Sequence, residues 1–215
     1  MNTGFSNLDF LRAQILASSQ AGDDSFDAKL TAVGLGVAAA FENYCNRKFT
    51  RLVGVQEIIP ADRCQFLLSR YPLEVLTAVD LKIKESDGWV AQDLGNILSI
   101  DLANGIVNFP ERGDVGPWYA QVRFTFTAGF FWNTLEPADT GYPTAQPAGS
   151  AALPSDLLDA WLLQVRKEWE AIDKLGTKIT DVGSNTRNAS ESLAGLDFVP
   201  RVKDMLNQFV RYNLV

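Results

Sequence analysis

The apolar positions of this chain change period twice, from helical to alternating and back. Over residues 5–19, Phe5, Leu8, Leu11, Ile15 and Leu16 recur at helical spacing, which predicts a short amphipathic helix. Gly22-Asp23-Asp24-Ser25 ends it and offers an N-cap for a second helix, with Asp27 in the first turn where the helix dipole favours a carboxylate. Phe26, Leu30, Val33, Val37, Phe41 and Tyr44 then form one stripe over about five turns, up to the basic pair Arg47-Lys48. Gly34 and Gly36 each weaken that helix by up to ~1 kcal/mol, and with Ala38, Ala39 and Ala40 they give it a small-residue face suited to close packing of another helix.

Between 50 and 130 the pattern is that of short strands. Leu52 to Val55 and Ile58-Ile59 read as extended, followed by Phe66 to Leu68 and an apolar segment through Val75, Ala78, Leu81 and Ile83. Asp87-Gly88 and Asn104-Gly105 are turn signals, the second between Leu98-Ser99-Ile100 and Ile106 to Phe109. Residues 119–128 give the cleanest alternation, with Ala120, Val122, Phe124 and Phe126 expected on the buried face and Tyr119, Gln121, Arg123, Thr125 and Thr127 opposite. The expectation is a compact antiparallel sheet or small barrel.

Residues 133–154 contain Pro137, Pro143, Pro147 and Pro154 and read as a long loop, which in a compact domain is usually functional or mobile. Ser155, with Asp156 and Asp159 in the first turn, opens a helix whose stripe is Leu158, Trp161, Leu162, Val165, Trp169 and Ile172, ending at Lys174-Leu175-Gly176. A polar stretch from 176 to 197 reads as an extended arm. Phe198-Val199-Pro200 leads into a last helix with Val202, Met205, Leu206 and Phe209 apolar and Arg201, Lys203 and Arg211 basic, expected to pack on something other than its own domain. The predicted class is α+β. Residues 1–49 and 153–175 form a helical core, 50–132 a β-rich lobe, 133–152 a proline-rich loop and 176–215 a C-terminal arm and helix.

Composition narrows what such a fold could do. The 215 residues carry 19 Lys plus Arg against 26 Asp plus Glu, a formal charge of −7, and no histidine. A chain of this length can bury roughly 70 % of its unfolded surface, so it needs no disulfide framework, and Cys45 and Cys64 could not supply one. Without histidine there is no Ser-His-Asp or Cys-His nucleophile and no His-ligated zinc. The acidic balance disfavours tight non-specific binding to duplex DNA. No stretch approaches the ~18 apolar residues of a membrane span, and no basic region precedes an apolar run at the N-terminus, so an intracellular origin is the expectation.

The candidate chemistry has structural explanations. Gly34-Leu35-Gly36 with Ala39 imitates a dinucleotide fingerprint but lies inside a helix, where no phosphate meets its amides. Asp23, Asp24 and Asp27, and Glu168, Glu170 and Asp173, fit helix capping and a solvated helix face better than acid/base pairs or metal ligands. Neither cysteine has a histidine to activate it. Phe130, Phe131 and Trp132 form an aromatic knot that either closes the core where the last strand leaves the sheet or meets a neighbouring subunit. No catalytic, cofactor-binding or metal-binding residues are assigned.

An ordered set of segments carries a resemblance. The second helix ends in Phe41-Glu42-Asn43-Tyr44-Cys45-Asn46-Arg47-Lys48-Phe49. Tyr71-Pro72-Leu73, Asn104-Gly105-Ile106-Val107-Asn108-Phe109-Pro110 and Val122-Arg123-Phe124-Thr125-Phe126-Thr127-Ala128-Gly129-Phe130 follow, then Leu153-Pro154-Ser155-Asp156-Leu157, and finally Val199-Pro200-Arg201-Val202-Lys203-Asp204-Met205-Leu206. Together they resemble the head–tail connector (adaptor) proteins of tailed bacteriophages and related gene-transfer particles, in the longer form with a β-rich insertion. The resemblance implies a non-enzymatic virion protein without cofactors, made in the host cytoplasm and found in the neck. It would form a twelve-subunit ring below the portal protein, joining the capsid to stopper or tail proteins and extending the channel through which DNA passes without specific binding.

In that reading Gly34, Gly36, Ala39, Ala40, Phe130, Phe131 and Trp132 are expected at subunit contacts, and Val202, Met205, Leu206 and Phe209 at the portal. The alternatives are a stopper or tail-terminator protein contacting the tail tube, or a small hydrolase or carbohydrate-binding module on the β lobe, which would need paired carboxylates in a pocket.

Overall fold

The computed structural model describes residues 8–16, 24–110, 120–132, 145–178 and 197–211, with the backbone alone for 9 and 172–178. The fold is α+β, and the chain divides near Asn46 and again near Leu153 into a helical unit and a β unit.

The helical unit holds α1 (Leu8–Ile15), α2 (Asp27–Cys45), α3 (Ser155–Lys178) and α4 (Pro200–Asn207). Phe5 and residues 17–19, predicted to belong to the first helix, lie outside the described residues. The N-cap position of α2 is Phe26, just past the predicted capping run. It sits within a 3-10 turn over Asp24–Phe26, and the acidic start is tied down by Arg12 of α1 instead, whose Nε donates to Asp27 at 2.8 Å and whose Nη2 donates to Asp24 at 2.7 Å. α2 ends at Asn46, which takes the left-handed conformation with φ 50°, one of the few side chains that tolerates it.

The buried face of α2 is Leu30, Gly34, Val37, Ala38, Phe41 and Cys45, so Phe26, Val33 and Tyr44 of the predicted stripe stand at its margins. Among the described side chains of α3 the fully buried ones are Leu157, Ala160, Trp161, Gln164 and Val165, which places the centre of that face one position before the predicted one; the predicted Ile172 lies outside the described side chains. The two helices meet where Trp161 Nε1 donates to the Gly34 carbonyl at 3.0 Å, which gives the buried indole its polar partner. α3 also continues two residues past Gly176, because a terminal glycine costs a helix only ~1 kcal/mol.

The β unit is a small sandwich. Strands β1 (Leu52–Pro60), β2 (Gln65–Leu67), β3 (Leu73–Lys82), β4 (Val90–Ala91), β5 (Ser99–Asp101), β6 (Ile106–Asn108) and β7 (Gln121–Ala128) form a four-stranded antiparallel sheet ordered β1-β7-β3-β4 and a three-stranded antiparallel sheet ordered β2-β6-β5. β7 is central, and Ala120, Val122, Phe124 and Phe126 are buried as predicted; Tyr119 lies outside the described residues. Phe66 of the second sheet meets Phe124 with ring centroids 5.2 Å apart and Phe109 at 5.8 Å, and Leu76, Val79, Val107 and Ala128 complete the core.

The proline-rich loop lies outside the described residues over 133–144, and its remainder is not structureless. β8 (Phe130–Phe131) pairs in parallel with β9 (Ala151–Ala152), an exception to the all-antiparallel expectation. Two residues carry no strand signal, and the pairing depends on the chain turning back at Pro147–Ser150, where Ser150 N donates to the Pro147 carbonyl at 3.1 Å. The Thr-Ala-Gly run has a steric basis. Gly129 has φ 102°, and a Cβ there would lie 2.4 Å from the Thr50 carbonyl oxygen, so only glycine lets β7 turn beside that backbone. Gly129 N donates to Pro72 O at 2.8 Å and Phe130 N to Phe49 O at 2.7 Å.

Candidate assembly surfaces

The C-terminal helix packs within the helical unit, contrary to the expectation that it would dock elsewhere. Val202 and Leu206 are fully buried, which removes them as exposed docking residues; Met205 and Phe209 are half-buried, and Arg201, Lys203 and Asp204 are exposed. Phe198 is held edge-on by Phe41 and Tyr44, at 5.5 and 5.3 Å between centroids. Tyr44 Oη donates to Asn207 Oδ1 at 2.8 Å, and Arg211 N donates to the Cys45 carbonyl at 2.9 Å. Thus Cys45 is a buried thiol under α4, with Sγ donating to the Leu206 carbonyl at 3.7 Å.

Sequence reasoning missed Gln164, the buried polar side chain that ties down this arrangement. Its Oε1 accepts from Val199 N at 3.1 Å, and its Nε2 donates to Glu168 at 2.8 Å and to the Asp197 carbonyl at 3.3 Å. A glutamine inside an apolar stripe, between Trp161 and Val165, was the available signal. Lys167 Nζ also donates to the Asp197 carbonyl.

The small residues of α2 divide between two faces. Gly34 is buried against α3, whereas Gly36 and Ala39 are exposed and Ala40 is half-buried; a Cβ on Gly36 would meet nothing within 4 Å. The aromatic knot closes on its own unit. Phe131 and Trp132 are buried, and half-buried Phe130 stacks on Phe49 at 6.4 Å. The buried Arg47 guanidinium lies 3.5 Å from the Tyr71 ring centroid, within 5.4 Å of Phe130, and donates to the Tyr71 carbonyl.

Among the described residues, a run of exposed apolar side chains lies on β4, β5 and the turn between them. Val90 pairs with Leu81, which pairs with core residue Val122, so Val90 points to the core side of its sheet and is nevertheless 62 % exposed. Ile100 pairs with buried Val107, and Leu98 and Leu102 stand just outside the two ends of its strand; all three are exposed, Leu98 by 66 %. Leu94, in the 3-10 turn joining the two strands, is exposed as well.

Features of an enzyme site are sparse among the described residues. No group of three or more Cys, Asp or Glu side chains could hold a metal ion, and no helix is long and apolar enough to cross a membrane. A depression of about 320 Å³ beside β3 is lined by Lys82, Ile83, Lys84, Glu85 and Gln121.

No protein-family model matches the sequence, and no curated protein matches it. Solved structures match the fold. One is a chain in the neck of an empty gene transfer agent (GTA) particle, reconstructed with C6 symmetry, at 16 % identity and a TM-score of 0.59, covering 99 % of this chain and 93 % of that one. Another is a chain in the virion of the native GTA particle, at 18 % identity and a TM-score of 0.58, with the same coverage. At such identities the likeness is one of fold, and it spans both units.

Proposed function

We propose that this chain is a structural, non-enzymatic component of the neck of a phage-like particle, specifically a head–tail adaptor that forms a ring below the portal and extends the DNA exit channel. The observation that carries the reading is the fold match to a GTA neck chain over 99 % of this chain and 93 % of that one, which extends to the β unit as well as the helices. A neck reconstructed with C6 symmetry repeats its parts about one axis, which supports a ring of identical copies here. Such a ring needs two different patches on each subunit. The exposed Gly36 and Ala39 on α2 suit close approach of a neighbour, while Gly34, Phe131 and Trp132 serve the subunit's own interior. Docking on the portal falls to the outer side of α4, with Arg201 and Lys203 exposed and Met205 and Phe209 half-buried. A charge of −7 per chain repels DNA sliding past rather than holding it.

Native mass spectrometry of the chain mixed with its portal rings tests this reading. The adaptor reading predicts addition of twelve copies per portal ring. Portal rings that take up none, with the chain binding tail-tube protein instead, would overturn it in favour of a stopper or tail-terminator role.

A further inference from the structure

We propose that the exposed apolar run on β4, β5 and the turn between them receives an extended, basic segment of a different protein. Its apolar residues would lie on the face of Ile100 and its Lys or Arg residues on the face of Asp101. The inference goes beyond the ring reading above and does not rest on it. β4 ends the four-stranded sheet and β5 ends the three-stranded one, and the chain passes between them through the 3-10 turn Leu94–Asn96. Among the described residues no strand pairs with the outer side of either. Such an edge leaves backbone donors and acceptors unpaired, and an added strand satisfies them. The register turns Val90 and Ile100 toward the core side of their sheets, yet they are 62 % and 38 % exposed. A segment added along β5 with apolar residues at every second position covers that side.

Charge selects the partner. Residues 85–110 contain Glu85, Asp87, Asp93 and Asp101 and no Lys or Arg. Asp87 accepts from Lys84 N at 3.1 Å, Asp93 from Gly95 N at 2.9 Å and Asp101 from the Asn104 side chain at 2.8 Å, so each is fixed in place by its own loop. None of these three is in an ion pair among the described residues. The nearest bases in sequence are engaged elsewhere. Lys82 follows core-facing Leu81 and so points to the opposite face, with Nζ 5.9 Å from the Trp89 ring centroid, and Lys84 lines the depression together with Glu85. Asp101 follows Ile100 on β5, so bases at the alternate positions of an added segment face it. A second copy is a poor occupant. The chain carries −7, and the arginines of its β unit are held at home: Arg51 on Glu74 at 2.8 Å, Arg63 on Asp62 at 2.8 Å, Arg123 on Asp80 at 2.9 Å, and Arg47 buried on Tyr71. Opposite charge around an apolar contact favours a basic partner and disfavours a like-charged one.

Fluorescence anisotropy on the full-length chain tests this with three labelled peptides of equal length: alternating Lys and Val, alternating Glu and Val, and Lys and Val in two separate blocks. The proposal predicts that the alternating Lys-Val peptide binds more tightly than the other two. Leu98→Ser should weaken it by about fivefold to tenfold, and Asp101→Asn should weaken it as well. Equal binding of the Glu-Val peptide would mean that charge selects nothing, and equal binding of the blocked peptide that no extended register is read; either result would overturn the proposal. Binding of the Lys-Val peptide that Leu98→Ser leaves unchanged, or no binding at all, would overturn it too. Loss of the chain's own multimers from native mass spectra on Leu98→Ser would assign the surface to a second copy, with the same consequence. Each of these failures leaves the count of copies on the portal ring, and with it the ring reading, untouched.

Discussion

The last helix and the β4/β5 edge both carry apolar side chains at regular spacing, and the fold treats them oppositely. Val202 and Leu206 of α4 are buried among α2 and α3, and the chain leading into the helix is fastened by Gln164 and by the rings of Phe41, Tyr44 and Phe198. Ile100 faces the same side as the buried Val107, yet no strand among the described residues continues the sheet beyond β5, and Leu98, Ile100 and Leu102 remain exposed. A helix satisfies its own backbone and can seat its apolar face wherever a groove exists. A strand at an edge has one side of its backbone unpaired as well as its apolar face uncovered, and a second chain can satisfy both at once.

The largest effect that would separate the two regions comes from Leu206→Ala. Truncating a fully buried leucine should destabilise the helical unit by about 2–5 kcal/mol, read as a lower urea midpoint, without blocking assembly of the molecules that remain folded. Gln164→Ala should follow at about 1–3 kcal/mol, because the Val199 N–H loses its partner at a part-buried site, while the Asp197 carbonyl keeps Lys167. By contrast, Leu98→Ser should change stability by less than about 0.5 kcal/mol, since the side chain is 66 % exposed, while weakening binding of the alternating Lys-Val peptide. A large stability loss from Leu98→Ser would mean that the β4/β5 edge belongs to the subunit's own core, and the contrast would fail.

The smallest effect concerns the hairpin that carries this edge. Asn104 donates to Asp101 from its side chain at 2.8 Å and from its backbone N at 3.1 Å, and these bonds hold the Asp101 carboxyl below its ordinary value. A carboxyl lowered in the folded state stabilises above its unfolded value and loses that contribution as pH falls through the folded one. The stability advantage of the native chain over Asp101→Asn should therefore shrink as pH drops below the ordinary carboxylate range, in parallel urea titrations. An advantage that grows on acidification would refute the assignment.

Much of the fold was legible in the periods. The 3.6-residue stripes located α2 and α3, the strict alternation located β7, and Asn104-Gly105 located the β5–β6 hairpin, because each pattern is local. What the sequence withheld depended on distant partners. The buried face of α3 is centred on Leu157 and Gln164 because Trp161 must reach the Gly34 carbonyl, and nothing in residues 155–173 reports where that carbonyl lies. The burial of Val202 and Leu206 and the exposure of Leu98 and Ile100 look alike in sequence, since hydrophobicity records the need for cover and not its source. Phe130 to Trp132 are open in sequence to either a core or an interface reading; Phe131 and Trp132 are buried, and half-buried Phe130 stacks on Phe49 beside Arg47, contacts between residues some 80 positions apart.

Hydrogen–deuterium exchange on the free chain and on the chain saturated with the alternating Lys-Val peptide tests the central contrast most directly. The account predicts that amides of 90–102 exchange rapidly in the free chain and become protected in the complex, while those of Pro200–Asn207 are already slow in the free chain and change little. Unchanged exchange at 90–102 on binding, or protection of α4 that arises only in the complex, would contradict it.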